Sequence, residues 1–108
     1  MNNNVMGRLM EWGAKLWLTD KYPKYHWSQI VNGTNPDLKG IDIVGSLNGD
    51  NRKRILIQVK SSIEKAAEFS ERYLEYERRY HHQDLEIVVI IPDEETGGFK
   101  EYFGKLPR

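Results

Sequence analysis

The sequence predicts a single α/β domain over residues 1–108, with elements in the order α-β-β-β-α-β and a mixed sheet flanked by helices. Apolar residues recur at helical spacing in two segments, and a pair of apolar strands around a polar turn lies between them. A nearly continuous apolar run follows the second helical segment. A helix that leads from one strand to a buried apolar strand implies parallel pairing, so we expect helices on both faces of the sheet.

The first predicted helix spans residues 4–19. Its apolar residues at helical spacing are Val5, Met6, Leu9, Met10, Gly13, Leu16 and Trp17. Pro23 lies in a segment that interrupts the pattern and ends the helix. A short strand is expected over 27–31, and the Gly, Asn and Pro residues of 32–40 predict a loop.

Two strands, at about 41–47 and 54–61, are predicted to form a hairpin around the polar turn NGDNRK. The second helix covers 62–80, and Ser61 followed by Glu64 fits a capping box at its start. The run EIVVIIP over 86–92 is typical of a strand buried on both faces. The last residues give no clear pattern.

Composition excludes several classes of protein. Acidic and basic residues balance at 16 each, so net charge does not indicate a nucleic-acid partner. The chain has no cysteine, which excludes a disulfide framework, a thiol nucleophile and a cysteine-ligated zinc site. It has no signal-peptide pattern and no apolar run of membrane-spanning length. We therefore expect a soluble, cytoplasmic protein without a membrane partner.

The hairpin brings polar side chains into otherwise apolar strands, where they are costly without a partner or a function. If Leu47 pairs with Ile55, Asp42 lies opposite Lys60 and Val44 opposite Gln58. Asp42, Gln58 and Lys60 then share one face of the sheet. The other face carries Ile41, Ile43, Ile55, Ile57 and Val59. A carboxylate, an amide and an ammonium on one patch can hold a divalent cation and a water.

The order of elements, with GIDIV on one strand and ILIQVKSS on the next, resembles the PD-(D/E)XK nuclease superfamily. Within it the pattern is most similar to Mrr-type restriction endonucleases and Holliday-junction-resolvase-like proteins, and GRLMEWGAKLWL resembles the first helix of resolvase-like members. The resemblance implies a restriction-endonuclease-like fold. It also implies that Asp42 binds metal and that Lys60 matches the lysine of the family motif. Glu11 would contribute a carboxylate from the first helix.

The sequence departs from the family pattern at two points. Ile41 precedes Asp42, where the family has proline, and a literal Pro36-Asp37 pair lies in the predicted loop, out of alignment with Lys60. Gln58 occupies the place where many members have glutamate, which removes one negative charge from the expected metal site.

Phosphodiester hydrolysis needs oxygen ligands for Mg²⁺ or Mn²⁺, an activated water and relief of charge on the phosphate. Asp42, the Gln58 side chain and the Val59 carbonyl can supply oxygens, and Lys60 can act on the water or the phosphate. Glu11 has Gly7, Ala14 and Leu18 as helical neighbours, which favours close approach of the helix to the sheet. Its basic neighbours also fit an ordinary solvated face.

Basic residues occur in small clusters that can follow a nucleic-acid backbone. One cluster, in the predicted hairpin turn and distant from Asp42, comprises Arg52, Lys53 and Arg54, and the first helix adds Arg8 and Lys15. Ser61 can touch a phosphate, although helix capping also explains it.

The sequence thus predicts a Mg²⁺-dependent endodeoxyribonuclease with DNA as its partner, acting as a homodimer. Two alternatives stay open. One is a non-catalytic nucleic-acid- or protein-binding module that keeps the nuclease fold. The other is a subunit of a restriction or defence system that needs a partner recognition subunit.

Overall fold

The protein is a five-stranded mixed sheet with two helices, as described over residues 3–30, 41–47, 50–80 and 85–107 of a computed structural model. The elements in chain order are α1 (Asn3–Lys21), β1 (Tyr25–Gln29), β2 (Ile43–Leu47), β3 (Asp50–Val59), α2 (Ile63–Tyr80), β4 (Leu85–Pro92) and β5 (Phe99–Phe103). The predicted loop over 32–40, including Pro36-Asp37, lies outside the described residues.

The strands are ordered β1-β2-β3-β4-β5 across the sheet. β1, β2 and β3 pair antiparallel, β3 and β4 pair parallel, and β4 and β5 pair antiparallel. The predicted α/β class and mixed sheet are confirmed. The parallel pair follows from α2, which carries the chain back so that β4 runs in the direction of β3.

The two helices cover opposite faces of the sheet, as expected. Ile55, Ile57 and Val59 of β3 pack in one cluster with Ala14 and Leu18 of α1. The alternate side chain Leu56 belongs to a second cluster, against which Phe69 of α2 packs. Side chains alternate along a strand, so β3 places a separate apolar layer under each helix.

The face that α1 turns to the sheet contains only part of the predicted stripe, since Met10 and Trp17 pack against the core while Leu9 and Leu16 do not. Ala14 and Leu18 are fully buried, whereas Leu9 and Leu16 are about half exposed. The helix carries two apolar stripes, and periodicity alone does not tell which of them meets the sheet. The smaller stripe does so, because Ala14 allows the helix to approach the strands closely.

The hairpin register is shifted by two residues from the predicted one. Val44 pairs with Leu56 rather than with Gln58, and the register shifts again between Ser46 and Leu47, so that Leu47 pairs with Asp50 rather than with Ile55. A shift of two keeps each side chain on its predicted face. The exceptions precede β2, where the strand alternation does not hold. Ile41 packs with Leu56 in the α2-side cluster, and Asp42 is reached by Glu11 of α1.

β3 begins at Asp50, so residues 50–53, predicted as part of the turn, belong to the strand. β1 begins two residues earlier than predicted. β5 was not predicted. It follows a turn in which Asp93 accepts hydrogen bonds from the Glu95 N–H and the Thr96 hydroxyl. Gly97, at φ 77°, completes that turn in a backbone conformation that favours glycine.

Within the described residues, no helix combines the length and apolar character needed to cross a membrane.

Candidate metal and catalytic site

Asp42 lies immediately before β2, and its backbone is held from both sides. Its N–H donates to the Ile57 carbonyl at 2.9 Å, and its own carbonyl accepts from the Ile30 N–H at 2.9 Å. Its carboxylate oxygen Oδ2 accepts a hydrogen bond from the Val59 N–H at 2.8 Å. The side chain therefore continues the β2–β3 ladder and is fixed against the end of β3.

Glu11 reaches Asp42 from α1. Ala14 and Leu18, one and two turns further along the helix, are fully buried and hold this side of α1 against the sheet. The half-buried Glu11 carboxyl comes within hydrogen-bonding reach of Asp42. Gly7 is not needed for this approach, because a Cβ there would meet nothing within 4 Å. The predicted close approach is thus produced at Ala14 and not at Gly7.

The environment of Asp42 favours its protonated form. Burial raises the pKa of Asp42 from 3.8 to about 7, and the charge and hydrogen bond of Glu11 raise it as well. The Val59 N–H and the Lys60 ammonium lower the pKa, but by less than burial raises it. A second carboxyl group beside a partly desolvated one makes its ionisation more costly, so Glu11 adds to the effect of burial on the pKa of Asp42.

Lys60 follows the last residue of β3, and its backbone N–H donates to the Ile90 carbonyl of β4 at 3.0 Å. Its ammonium lies over the ring of Phe69, 5.4 Å from the ring centroid. This cation–π contact holds the lysine on the α2 side of the sheet. Its charge still acts on Asp42 and lowers the pKa of that carboxyl group, whereas the carboxyl of Glu11 from α1 raises it.

Gln58 is the buried polar residue of β3, with 4% of its surface exposed. Its side-chain oxygen Oε1 is fully buried and has no hydrogen-bond partner. Gln58 lies between Ile57 and Val59, the two residues whose backbones bond Asp42. An unpartnered buried oxygen costs free energy, typically about 1–3 kcal/mol, and leaves an acceptor open for a ligand.

The Val59 carbonyl is oriented towards the Asp42 side of β3. Lys60 bonds towards β4, whereas the Val59 N–H points the opposite way, to the Asp42 carboxylate. The N–H and C=O of one strand residue point to the same side, so this carbonyl faces the Asp42 side as well. That orientation fits the predicted use of the Val59 carbonyl as a ligand.

The donor set is rich in oxygen and has few charges. Among the described residues, no group of three or more His, Cys, Asp or Glu side chains could hold a metal ion. Asp42 instead has the Glu11 carboxyl and the Val59 backbone as neighbours, and Gln58, whose side chain leaves β3 on the α2 side, adds a buried amide oxygen. Mg²⁺ and Mn²⁺ accept such mixed oxygen sets, and Mg²⁺ often takes only one or two carboxylates. The residues therefore fit a hard divalent cation.

The predicted nucleic-acid contacts are dispersed. Arg8 and Ser61 are exposed and Lys15 is half-buried. Arg54 lies within β3, opposite Ser46, as the predicted strand 54–61 has it, and its Nε is buried and unpartnered, so it does not belong to a basic cluster in the hairpin loop. The side chains of Arg52 and Lys53 lie outside the described residues. About five strand positions, roughly 17 Å, separate Arg54 from the end of β3.

Ser62, not Ser61, caps α2. The Ser62 hydroxyl accepts a hydrogen bond from the Lys65 N–H at 3.3 Å, which corrects the predicted capping box. Ser61 and Ser62 line a cavity of about 440 Å³ with Lys100. The same cavity is lined by Asp93, Glu94 and Glu95, and that negative charge does not favour a phosphate there.

Sequence reasoning missed two parts of the site. Neither the Val59 N–H as the anchor of Asp42 nor Phe69 as the support of Lys60 was predicted. The shifted hairpin register is what brings Val59 to Asp42. The Phe69 contact depends on how α2 packs on the sheet, and no local sequence pattern signals it.

Comparison with known proteins does not assign a family. No protein-family model matches the chain. Searches of curated proteins and of solved structures also found no match.

Proposed function

We propose that this protein is a Mg²⁺- or Mn²⁺-dependent nuclease that hydrolyses phosphodiester bonds in DNA, with a restriction-endonuclease-like core. One observation carries the proposal. The Glu11 carboxyl comes within hydrogen-bonding reach of Asp42 at the end of β3, where the charge of Lys60 also acts on Asp42, and Gln58 of the same strand has a buried oxygen without a partner.

This arrangement costs stability in the absence of a cation. Burial and the neighbouring carboxyl raise the pKa of Asp42 to about 7, and the Gln58 oxygen has no donor. A divalent cation relieves both problems, because it accepts carboxylate and amide oxygens together. Costs of this kind are typical of functional sites, where pKa values are displaced and polar groups lack partners.

Asp42, Glu11, the Gln58 side chain and the Val59 carbonyl would hold the cation. Such a cation, when bound, neutralises charge on a phosphate and makes a nearby water more acidic. Asp42 suits the role of the main ligand because three backbone hydrogen bonds fix its position. Glu11 adds the second carboxylate, and its place on α1 couples the helix to the site.

Lys60 acts on the water or on the phosphate. Its backbone is fixed by Ile90, and its ammonium is held over Phe69 in a partly buried place. A lysine in this position can orient the attacking water or donate a hydrogen bond to a phosphate oxygen. Arg8 and Ser61 are the exposed candidates for contacts with the nucleic-acid backbone.

A second candidate function is a nucleic-acid-binding module that keeps the fold without cleavage. One observation favours it. Within the described residues the site has fewer than three acidic ligands, and Gln58 stands where many members of the nuclease superfamily that the chain resembles have glutamate. Weak metal binding together with retained DNA binding is the result that this candidate predicts.

Labelled duplex, branched and single-stranded DNA, each incubated with Mg²⁺, Mn²⁺ or EDTA, test the proposal. We expect metal-dependent cleavage that Asp42→Asn reduces roughly 100-fold or more. Glu71→Gln, an exposed carboxylate on α2, is the matched control and retains full activity. DNA binding without cleavage on every substrate would favour the binding module. Cleavage that appears only with an added recognition subunit would indicate a component of a larger defence system.

A further inference from the structure

α1 has a second apolar stripe that does not face the sheet. Leu9, Trp12 and Leu16 are 52%, 54% and 51% exposed. Their spacing of three and four residues places them on one side of the helix, opposite the buried Ala14 and Leu18. We call these three residues the outer stripe.

The outer stripe has the properties of a helix-packing surface. Large side chains at this spacing form the ridge that one helix inserts between the side chains of another. Single exposed apolar residues are common, but three in register on a helix that already packs by its other side mark an interaction site. Tryptophan is also enriched at the centre of protein interfaces, and Trp12 lies at the middle of the stripe.

We propose that a second copy of this chain covers the outer stripe, with the two α1 helices packed side by side and parallel about a two-fold axis. Two-fold pairing is the commonest way in which identical chains cover such a face. The proposal does not rest on the proposed nuclease function, because it uses neither the Asp42 site nor a nucleic acid.

Charge on the flanks of the outer stripe selects the parallel orientation. With about 3.6 residues per turn, Arg8 and Lys15 lie on one flank and Asp20 on the other. In a parallel pair, the cationic flank of one helix faces the anionic flank of its partner, so Lys15 meets Asp20 of the second copy. In an antiparallel pair, the two cationic flanks face each other and repel.

Asp20 is otherwise poorly placed. It is exposed in the last turn of α1, where the partial negative charge of the helix end disfavours a carboxylate. A lysine from a second copy compensates that charge, and because of the symmetry the pair forms twice. The apolar stripe and the flanking charges thus agree on one partner and one orientation.

Sedimentation equilibrium of the full chain tests the interface. The wild type is expected at twice the monomer mass, and Trp12→Ala weakens self-association roughly tenfold or more. Ile63→Ala is the control, because Ile63 is equally exposed, at 58%, but lies on α2. It should leave association unchanged. Circular dichroism checks that both variants fold. A wild type that is monomeric at every concentration, or a Trp12→Ala dimer as stable as the wild type, would overturn the proposal.

Charge reversal tests the orientation. Lys15→Asp and Asp20→Lys each place like charges together and should weaken the dimer, whereas the double variant restores the pair and the association. Stronger association of Lys15→Asp alone would indicate antiparallel helices and contradict the parallel arrangement. If the chain stays monomeric and Trp12→Ala instead weakens its binding to a single-stranded DNA probe, the stripe is a nucleic-acid surface and the second-copy proposal is wrong.

Discussion

The Asp42 carboxylate accepts a hydrogen bond from the Val59 N–H at 2.8 Å, although the two residues are 17 apart in sequence. A backbone carbonyl would ordinarily accept this bond in a sheet. Because a side-chain carboxyl group does so instead, the end of the β2–β3 pair presents a carboxyl group that the sheet itself holds in place. The remaining groups of the candidate site are arranged around this contact.

The Asp42 pKa predicts how stability depends on pH in the metal-free protein. The pKa is about 7 in the folded state, above the usual 3.8, so folding favours the protonated form. The stability that protonated Asp42 contributes is fully present below pH 3.8. It is lost as pH rises to about 7, at up to about 1.4 kcal/mol per pH unit. We expect the free energy of unfolding of the wild type, measured in urea with EDTA, to fall over this range.

Asp42→Asn removes the titrating group and is the comparison for that measurement. The difference in unfolding free energy between wild type and variant should change across the same pH range. Glu71→Gln on the surface of α2 controls for the general loss of a charge. A difference that stays constant from acid to neutral pH would contradict the raised pKa.

Gln58→Met should stabilise the metal-free protein while weakening metal binding. The change keeps the length of the side chain and removes the buried oxygen that has no partner. We expect unfolding free energy to rise by about 1–2 kcal/mol. The stabilisation that Mn²⁺ gives to the wild type, measured as a rise in Tm, should shrink in the variant. A less stable variant with unchanged response to Mn²⁺ would mean that the amide serves the fold and not a ligand.

Two glycines test the packing that positions the site. A Cβ at Gly45 would lie 2.3 Å from the Trp27 ring, so Gly45→Ala should destabilise the fold by about 1–3 kcal/mol. Gly7 in α1 has open space around it, and Gly7→Ala should stabilise by about 0.5–1 kcal/mol through helix propensity. Urea denaturation measures both. Equal effects of the two substitutions would contradict the close contact between β1 and β2.

The two serines before α2 test the cap. Ser62→Ala removes the hydroxyl that accepts the Lys65 N–H and should cost about 1 kcal/mol of stability. Ser61→Ala, one residue earlier and exposed, serves as the control and should change stability by less than about 0.5 kcal/mol. A larger loss at Ser61 would restore the capping box that the sequence suggested.

The sequence predicted the strands and helices that have a clear hydrophobic period, and it missed the features that depend on packing. The apolar run of β4 and the hairpin strands were recognised because burial on a sheet dictates their composition. The hairpin register was not, because it departs from the predicted pairing by two residues at Val44 and shifts again between Ser46 and Leu47. A shift of two preserves side-chain parity, and so Gln58 and Lys60 still belong to the predicted face.

The first helix shows a different limit. Leu9 and Leu16 fitted a helical apolar pattern as well as the residues that meet the sheet, yet they are exposed. Only the packed fold distinguishes the two stripes. β5 was missed because its strand FKEYF is largely exposed, apart from half-buried ends, and lacks the alternation that signals a half-buried strand.

Mg²⁺-dependent DNA cleavage by Lys60→Ala, compared with Lys24→Ala, tests the central claim most directly. Both variants lose one lysine, and Lys24 is exposed and remote in sequence from the site residues. The account predicts that Lys60→Ala lowers the cleavage rate by roughly 100-fold or more, while Lys24→Ala cleaves at the wild-type rate. Equal cleavage by the two variants would contradict the assignment of this site.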